Sequence, residues 1–270
     1  MRPRTARAAR FYITAALAAV LAISVAGCKT TGSDTTGSIS SSDAPRSEAE
    51  WRKSLDAWGD RYRKDPGDAG AAMGYARALR ATEQRAQAVA VLEQATMRNP
   101  NNMPLLGSYG RALAAAGDYP RALDALGRAH TPDNPDWRIL NAQGAVLDQM
   151  GRHPEAQRHY SSALKIVPDE PSVLSNLGLS YALQKNLKRA ETTLRRALAQ
   201  PNSDPKVRQN LALIVGLQGR SSEAEKIARD GLPEDEATTN VGTLRDTLAQ
   251  QKEWKKTGVR PFVPAPNAGG

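Results

Sequence analysis

Alanine recurs every 34 residues across most of this 270-residue chain, at Ala88, Ala122, Ala156, Ala190 and Ala224. Seven residues after each of these stand Ala95, Ala129, Ala163, Ala197 and Gly231. Twelve residues before them stand Ala76, Gly110, Gly144, Gly178 and Ala212, and nine before them Leu79, Leu113, Leu147, Tyr181 and Val215. A period of this length marks one supersecondary unit that cannot bury its own apolar face and must stack on copies of itself.

The spacing inside a unit gives its form. Leu140, Gln143, Gly144 and Leu147 in the third unit, and Leu174, Leu177, Gly178 and Tyr181 in the fourth, follow the i, i+3, i+4, i+7 pattern of one helical stripe. Ala156, Tyr160 and Ala163 form the matching stripe of a second helix. Small residues on both stripes let two helices approach closely, and the large neighbours fill the gaps. Gly117, Gly151 and Gly219 fall where the turn between the helices belongs. Pro120 and Pro154 fall in a first helical turn, where a missing N–H costs little. With 44 alanines and only 13 aromatic residues, the composition suits close helix packing rather than a sheet.

These residues resemble the tetratricopeptide repeat. The third unit, WRILNAQGAVLDQMGRHPEAQRHYSSALKIVP over residues 137–168, matches that family's signature. The fold class expected is all-α, a right-handed α-solenoid of about five 34-residue repeats with a capping helix at each end. Three departures stand out: Gln143 occupies a large apolar position, Glu83 and Lys185 replace the turn glycine, and Gly231 closes a weaker fifth unit. At the front, Ser47 and Glu50 form a capping-box pattern before a stripe of Trp51, Leu55, Trp58 and Tyr62. At the back, Val241, Leu244 and Leu248 lie on one closing helix.

The N-terminus carries an address. Arg2, Arg4, Arg7 and Arg10 precede an uncharged apolar run over residues 11–26, and Val25, Ala26 and Gly27 lead directly to Cys28, the only cysteine. The run is short for a membrane span of about 20 residues and suits a secretory signal. An uncleaved membrane helix is the competing reading. The ending resembles the lipobox of bacterial lipoproteins, which implies lipidation at Cys28 and removal of residues 1–27. Three acyl chains would hold far more firmly than the single chain that gives marginal binding. Lys29 follows, and by analogy with enterobacterial lipoproteins its not being aspartate favours the outer membrane. Residues 29–46 hold nine Ser or Thr and two Gly, too polar to offset their ordering entropy, so they read as a flexible tether with a reach of roughly 25 Å. The chain thus divides into 1–27 (signal), 28–46 (lipidated cysteine and tether), 47–68 (capping helix), 69–236 (repeats), 237–257 (closing helix) and 258–270 (disordered tail).

The formal charge of +9 shrinks once the signal is set aside, to 33 basic against 28 acidic residues, without the dense stripe that nucleic acid needs. A disulfide is excluded by the single cysteine. No nucleophile elbow, phosphate loop or zinc-protease helix occurs. His153 and His159 lie on different faces of one helix and read as solvent-facing. No enzymatic activity, cofactor, metal or small-molecule substrate is expected. By analogy with the repeat family, residues beside the packing stripe of each first helix line a concave groove for a protein segment. These are Arg77, Arg80, Arg111, Arg138 and Asn141 in the early units, and Ser175, Leu179, Leu183, Leu213 and Leu217 in the later ones. A partner segment with acidic residues followed by an apolar stretch would fit. Alternatively the leucines only pack against neighbouring helices, and the residues alone leave both readings open.

Residues 171–201, 207–233 and 240–254, the last reading NVGTLRDTLAQQKEW, resemble the TadD family of repeat lipoproteins. That family serves the Tad (tight adherence) system, which assembles Flp-type type IV pili. The resemblance runs from about residue 70 to 254 and includes the closing helix, its most specific part. It implies a periplasm-facing outer-membrane lipoprotein that assists assembly or localisation of the Tad secretin or another pilus component. The other reading is a repeat lipoprotein adaptor for outer-membrane protein insertion or for recruiting cell-wall hydrolases.

Overall fold

The computed structural model describes residues 47–257, all of them in helices and their connections apart from one isolated bridge between Thr131 and Asn134. The export segment, Cys28 with its tether, and the residues after 257 lie outside the described residues. Twelve helices follow one another: α1 Glu48–Lys64, α2 Ala69–Ala81, α3 Arg85–Arg98, α4 Met103–Ala115, α5 Tyr119–Gly127 and α6 Trp137–Gln149. After these come α7 His153–Ile166, α8 Pro171–Leu183, α9 Leu187–Leu198, α10 Pro205–Leu217, α11 Ser221–Arg229 and α12 Glu234–Thr257. Helices α2 to α11 form five antiparallel pairs, each packed on the next, with α1 against α2 and α12 against α10 and α11. The architecture is an α-solenoid.

Side-chain caps start α1 and the first helix of every repeat. Ser47 accepts from the Glu50 N–H while Glu50 accepts from the Ser47 N–H, a reciprocal cap on α1. The first helix of every repeat is capped by a residue of one 34-residue column: Asp68, Asn102, Asp136, Glu170 and Asp204 each accept a backbone N–H of the first turn. Between the paired helices the chain turns through positive φ at Glu83, Gly117, Gly151, Lys185 and Gly219, again one column. The turn imposes this left-handed conformation whether or not glycine occupies it.

Packing follows the small residues. Ala88, Ala122, Ala156, Ala190 and Ala224 are all fully buried. The backbone at Gly144 lies against the Tyr160 ring, where an added Cβ would sit 2.5 Å from Cε1. At the front, Trp58 of α1 covers Gly74 in the same way, while Trp51 and Tyr62 are buried and the Tyr62 hydroxyl donates to Gln94 at 2.6 Å. At the back, Leu248 of α12 covers Gly216, with Ala237, Val241 and Leu244 buried beside it. Helix α12 begins at Glu234 rather than at 237. Glu234, Asp235 and Glu236 form its first turn, where negative charge faces the positive end of the helix dipole.

Candidate functional site

The first helices stand side by side, and hydrogen bonds between successive repeats fix their spacing. Asn176 Nδ2 donates to Asn141 Oδ1 at 2.9 Å, and Asn210 Nδ2 donates to Ser175 Oγ at 3.2 Å. The Ser180 hydroxyl donates to Asp148 Oδ1 at 2.8 Å. These bonds join the third repeat to the fourth and the fourth to the fifth.

The sequence-derived groove residues divide on this face by accessibility. Arg77 on α2 and Arg138 on α6 are exposed, and Arg80 and Arg111 are half-buried. The Arg138 guanidinium lies 4.5 Å from the centroid of the Trp137 ring, which holds the cation against the helix. Leu179 and Leu183, one turn apart on α8, are half-buried. Three of the residues do not reach the surface. Asn141 and Ser175 are buried because each lies beneath the asparagine of the following repeat. Leu213 is 3% exposed within the last apolar cluster, and Leu217 packs against that cluster. For these two leucines packing accounts for the side chain. Of the sequence-derived positions, the accessible arginines therefore stand on the first three repeats, and Leu179 and Leu183 on the fourth.

His153 is buried rather than solvent-facing. Its Nδ1 lies 2.8 Å from Asp148 Oδ1, the Tyr160 hydroxyl donates to Asp148 Oδ2 at 3.0 Å, and Ser180 donates to the same carboxylate. One buried carboxylate on α6 thus gathers groups from α7 and α8. Burial, with Asp148 beside it, pushes the Tyr160 hydroxyl well above its ordinary range. Ser180 gives its proton to Asp148 and not to the imidazole, and it is fully buried, so the trio is not arranged as a nucleophile with its base. The sequence signal for this cluster was Gln143's neighbour in kind, a polar Asp148 in an otherwise apolar stretch of the first helix.

A second charged cluster ties the outer helices of the last two repeats. Glu191 accepts from Nη1 and Nη2 of Arg220 at 2.7 and 2.9 Å, from Arg195 and from Gln218. These bonds, Arg220's first, hold the Glu191 carboxyl down at about 2. Among the described residues no three His, Cys, Asp or Glu side chains are grouped to hold a metal ion, and no helix is long and apolar enough to cross a membrane.

Models of the tetratricopeptide repeat match residues 75–136 and 138–203. No curated protein matches the chain at the level of sequence. Among solved structures it is similar to the anaphase-promoting-complex hetero-tetramer Cut9–Hcn1, with a TM-score of 0.62 and 17% identity over 77% of this chain. It spans 40% of that longer chain. It is similar also to PilW, a type IV pilus biogenesis factor, with a TM-score of 0.61 and 16% identity, covering 71% of this chain and 90% of that one. A third likeness is to human IFIT1, solved as a dimer with m7Gppp-AAAA, at a TM-score of 0.60 and 14% identity over 79% of this chain and 51% of that one. The chain is an α-solenoid of tetratricopeptide repeats, an architecture whose general use is as a non-enzymatic scaffold for protein partners.

Proposed function

We propose that this protein is a lipid-anchored adaptor of pilus assembly, held at Cys28 on the periplasmic side of the outer membrane and working by protein capture alone. The observation that carries the reading is the two-part face of the first helices, with Arg77, Arg111 and Arg138 at one end and Leu179 and Leu183 at the other. A partner segment with acidic residues followed by an apolar stretch satisfies both ends. Burial of Leu213 shortens the apolar part to the fourth repeat. The Tad assignment is supported by the resemblance of residues 171–254 to the TadD family, and the fold likeness to a pilus biogenesis factor is in keeping with it. The partner proposed is the Tad secretin or another pilus-assembly component. Tether and lipid would keep the face at high effective concentration beside it.

The test is a crosslinked pull-down from native membranes, comparing the wild type with Cys28→Ser. Recovery of a secretin that is lost when the lipid site is removed supports the proposal. Recovery of barrel-assembly proteins or cell-wall hydrolases in its place overturns the pilus assignment.

A further inference from the structure

We propose that His130 and His159 form an acid-sensitive latch at the joint between the second and third repeats. The connection there, residues 128–136, is longer than the corresponding 99–102, 167–170 and 199–204 of the other joints between repeats. Helices α3 and α7 end at Arg98 and Ile166, which both correspond to position 132 of the second repeat, yet α5 stops at Gly127. Pro132 and Pro135 supply no N–H to continue it. In place of the lost turn, residues 128–136 form a loop closed by the Thr131–Asn134 bridge, with the Asn134 N–H donating to the Thr131 carbonyl at 3.1 Å.

His130 lies in this loop and His159 on α7, and both are half-buried. The Nδ1 atom of each ring is sealed from solvent and has no hydrogen-bond partner. A neutral imidazole tolerates this, carrying its proton on Nε2 and a bare lone pair on Nδ1. Protonation puts a proton on Nδ1, and so creates a buried N–H donor without an acceptor together with a buried charge.

The surroundings reinforce this. Burial first, then His130, Arg158 and Arg152, hold His159 below its ordinary value, and only Glu155 acts the other way. Glu155 is itself held by Arg152 through two bonds of 2.7 Å. The sign follows: a base held low in the closed joint contributes its stability above its ordinary value near 6.5 and loses it as pH falls below. Acid therefore favours a joint in which the loop parts from α7 and water reaches both rings. His153, bonded to Asp148 elsewhere, is present in every variant below and cancels from the comparison.

Hydrogen exchange on the full chain at pH 7.5 and 5.5, corrected for the intrinsic pH dependence of exchange, tests the latch. Peptides spanning 119–136 and 153–166 are expected to lose several times more protection than those of α9 and α10. The pair His130→Gln with His159→Gln should remove that excess. Should the pair fail to fold, His130→Gln alone, in the loop, must reduce it. Equal loss in all repeats, or an excess unchanged in the variants, overturns the proposal.

Discussion

The imidazole of His153 stands 2.8 Å from the Asp148 carboxylate, and both side chains are buried. Tyr160 and Ser180 direct their hydroxyls to the same acid. Removing it strands three buried polar groups at once. Asp148→Ala is expected to lower stability by about 3–5 kcal/mol, since each buried polar group left without its partner costs about 1–3 kcal/mol. Asp148→Asn, which keeps one accepting oxygen, should cost less, about 1–3 kcal/mol. Denaturant unfolding of the two variants beside the wild type checks both values. Equal costs would show that volume, not hydrogen bonding, matters at this site.

Gly144 has no room for a methyl group. Alanine there would gain about 1 kcal/mol of helix propensity but meet the Tyr160 ring at 2.5 Å. Net destabilisation of about 1–3 kcal/mol is expected, since the fully buried Tyr160 cannot move aside without strain. Gly117→Ala is the contrast: nothing lies near its Cβ, and its cost arises from the backbone at φ 85° alone. Thermal melts of the two separate a steric from a conformational cost.

Lys185 sits at φ 64° in the column that glycine fills in three other repeats. Left-handed backbone costs a residue with a side chain roughly 1–2 kcal/mol, part of which glycine returns as unfolded-state entropy. Lys185→Gly is therefore expected to raise stability by about 0.5–1 kcal/mol, read as a higher denaturation midpoint with unchanged slope. A lower midpoint would mean that the lysine side chain contributes more than the turn costs.

Glu191 gives the outer helices a pH dependence. Its carboxyl is held at about 2, below its ordinary 4.5, so the stability it contributes is complete above 4.5 and is lost as pH falls toward 2. Glu191→Gln should flatten stability against pH in that window while leaving the window above 5 parallel to wild type. Its partners Arg195 and Arg220 are substantially exposed, so the contribution is screened and no more than ~1 kcal/mol.

The repeat is legible in the chain because glycines of the first-helix column lie directly against a side chain of the second helix, as Gly144 does against Tyr160 and Gly178 against Leu194. The first-helix caps were equally open to reading, since Asp68, Asn102, Asp136, Glu170 and Asp204 keep the same period. The face was less so. Whether a residue beside the stripe reaches solvent depends on what the next repeat lays over it, and Asn141 is hidden by Asn176, whose reach across 35 residues no local pattern displays. His153 misled for a related reason. Asp148 lies five residues before it across a turn, so helical periodicity does not pair them.

The central claim is that a partner is captured on the face of the first helices. Photoreactive residues placed singly at Leu183 and at Met97, which lies on second helix α3 and is 75% exposed, test it directly in cells that carry the full chain. The account requires that Leu183 crosslink to a discrete pilus-assembly protein and that Met97 not do so. Crosslinks to that protein from Met97 with none from Leu183 would contradict it.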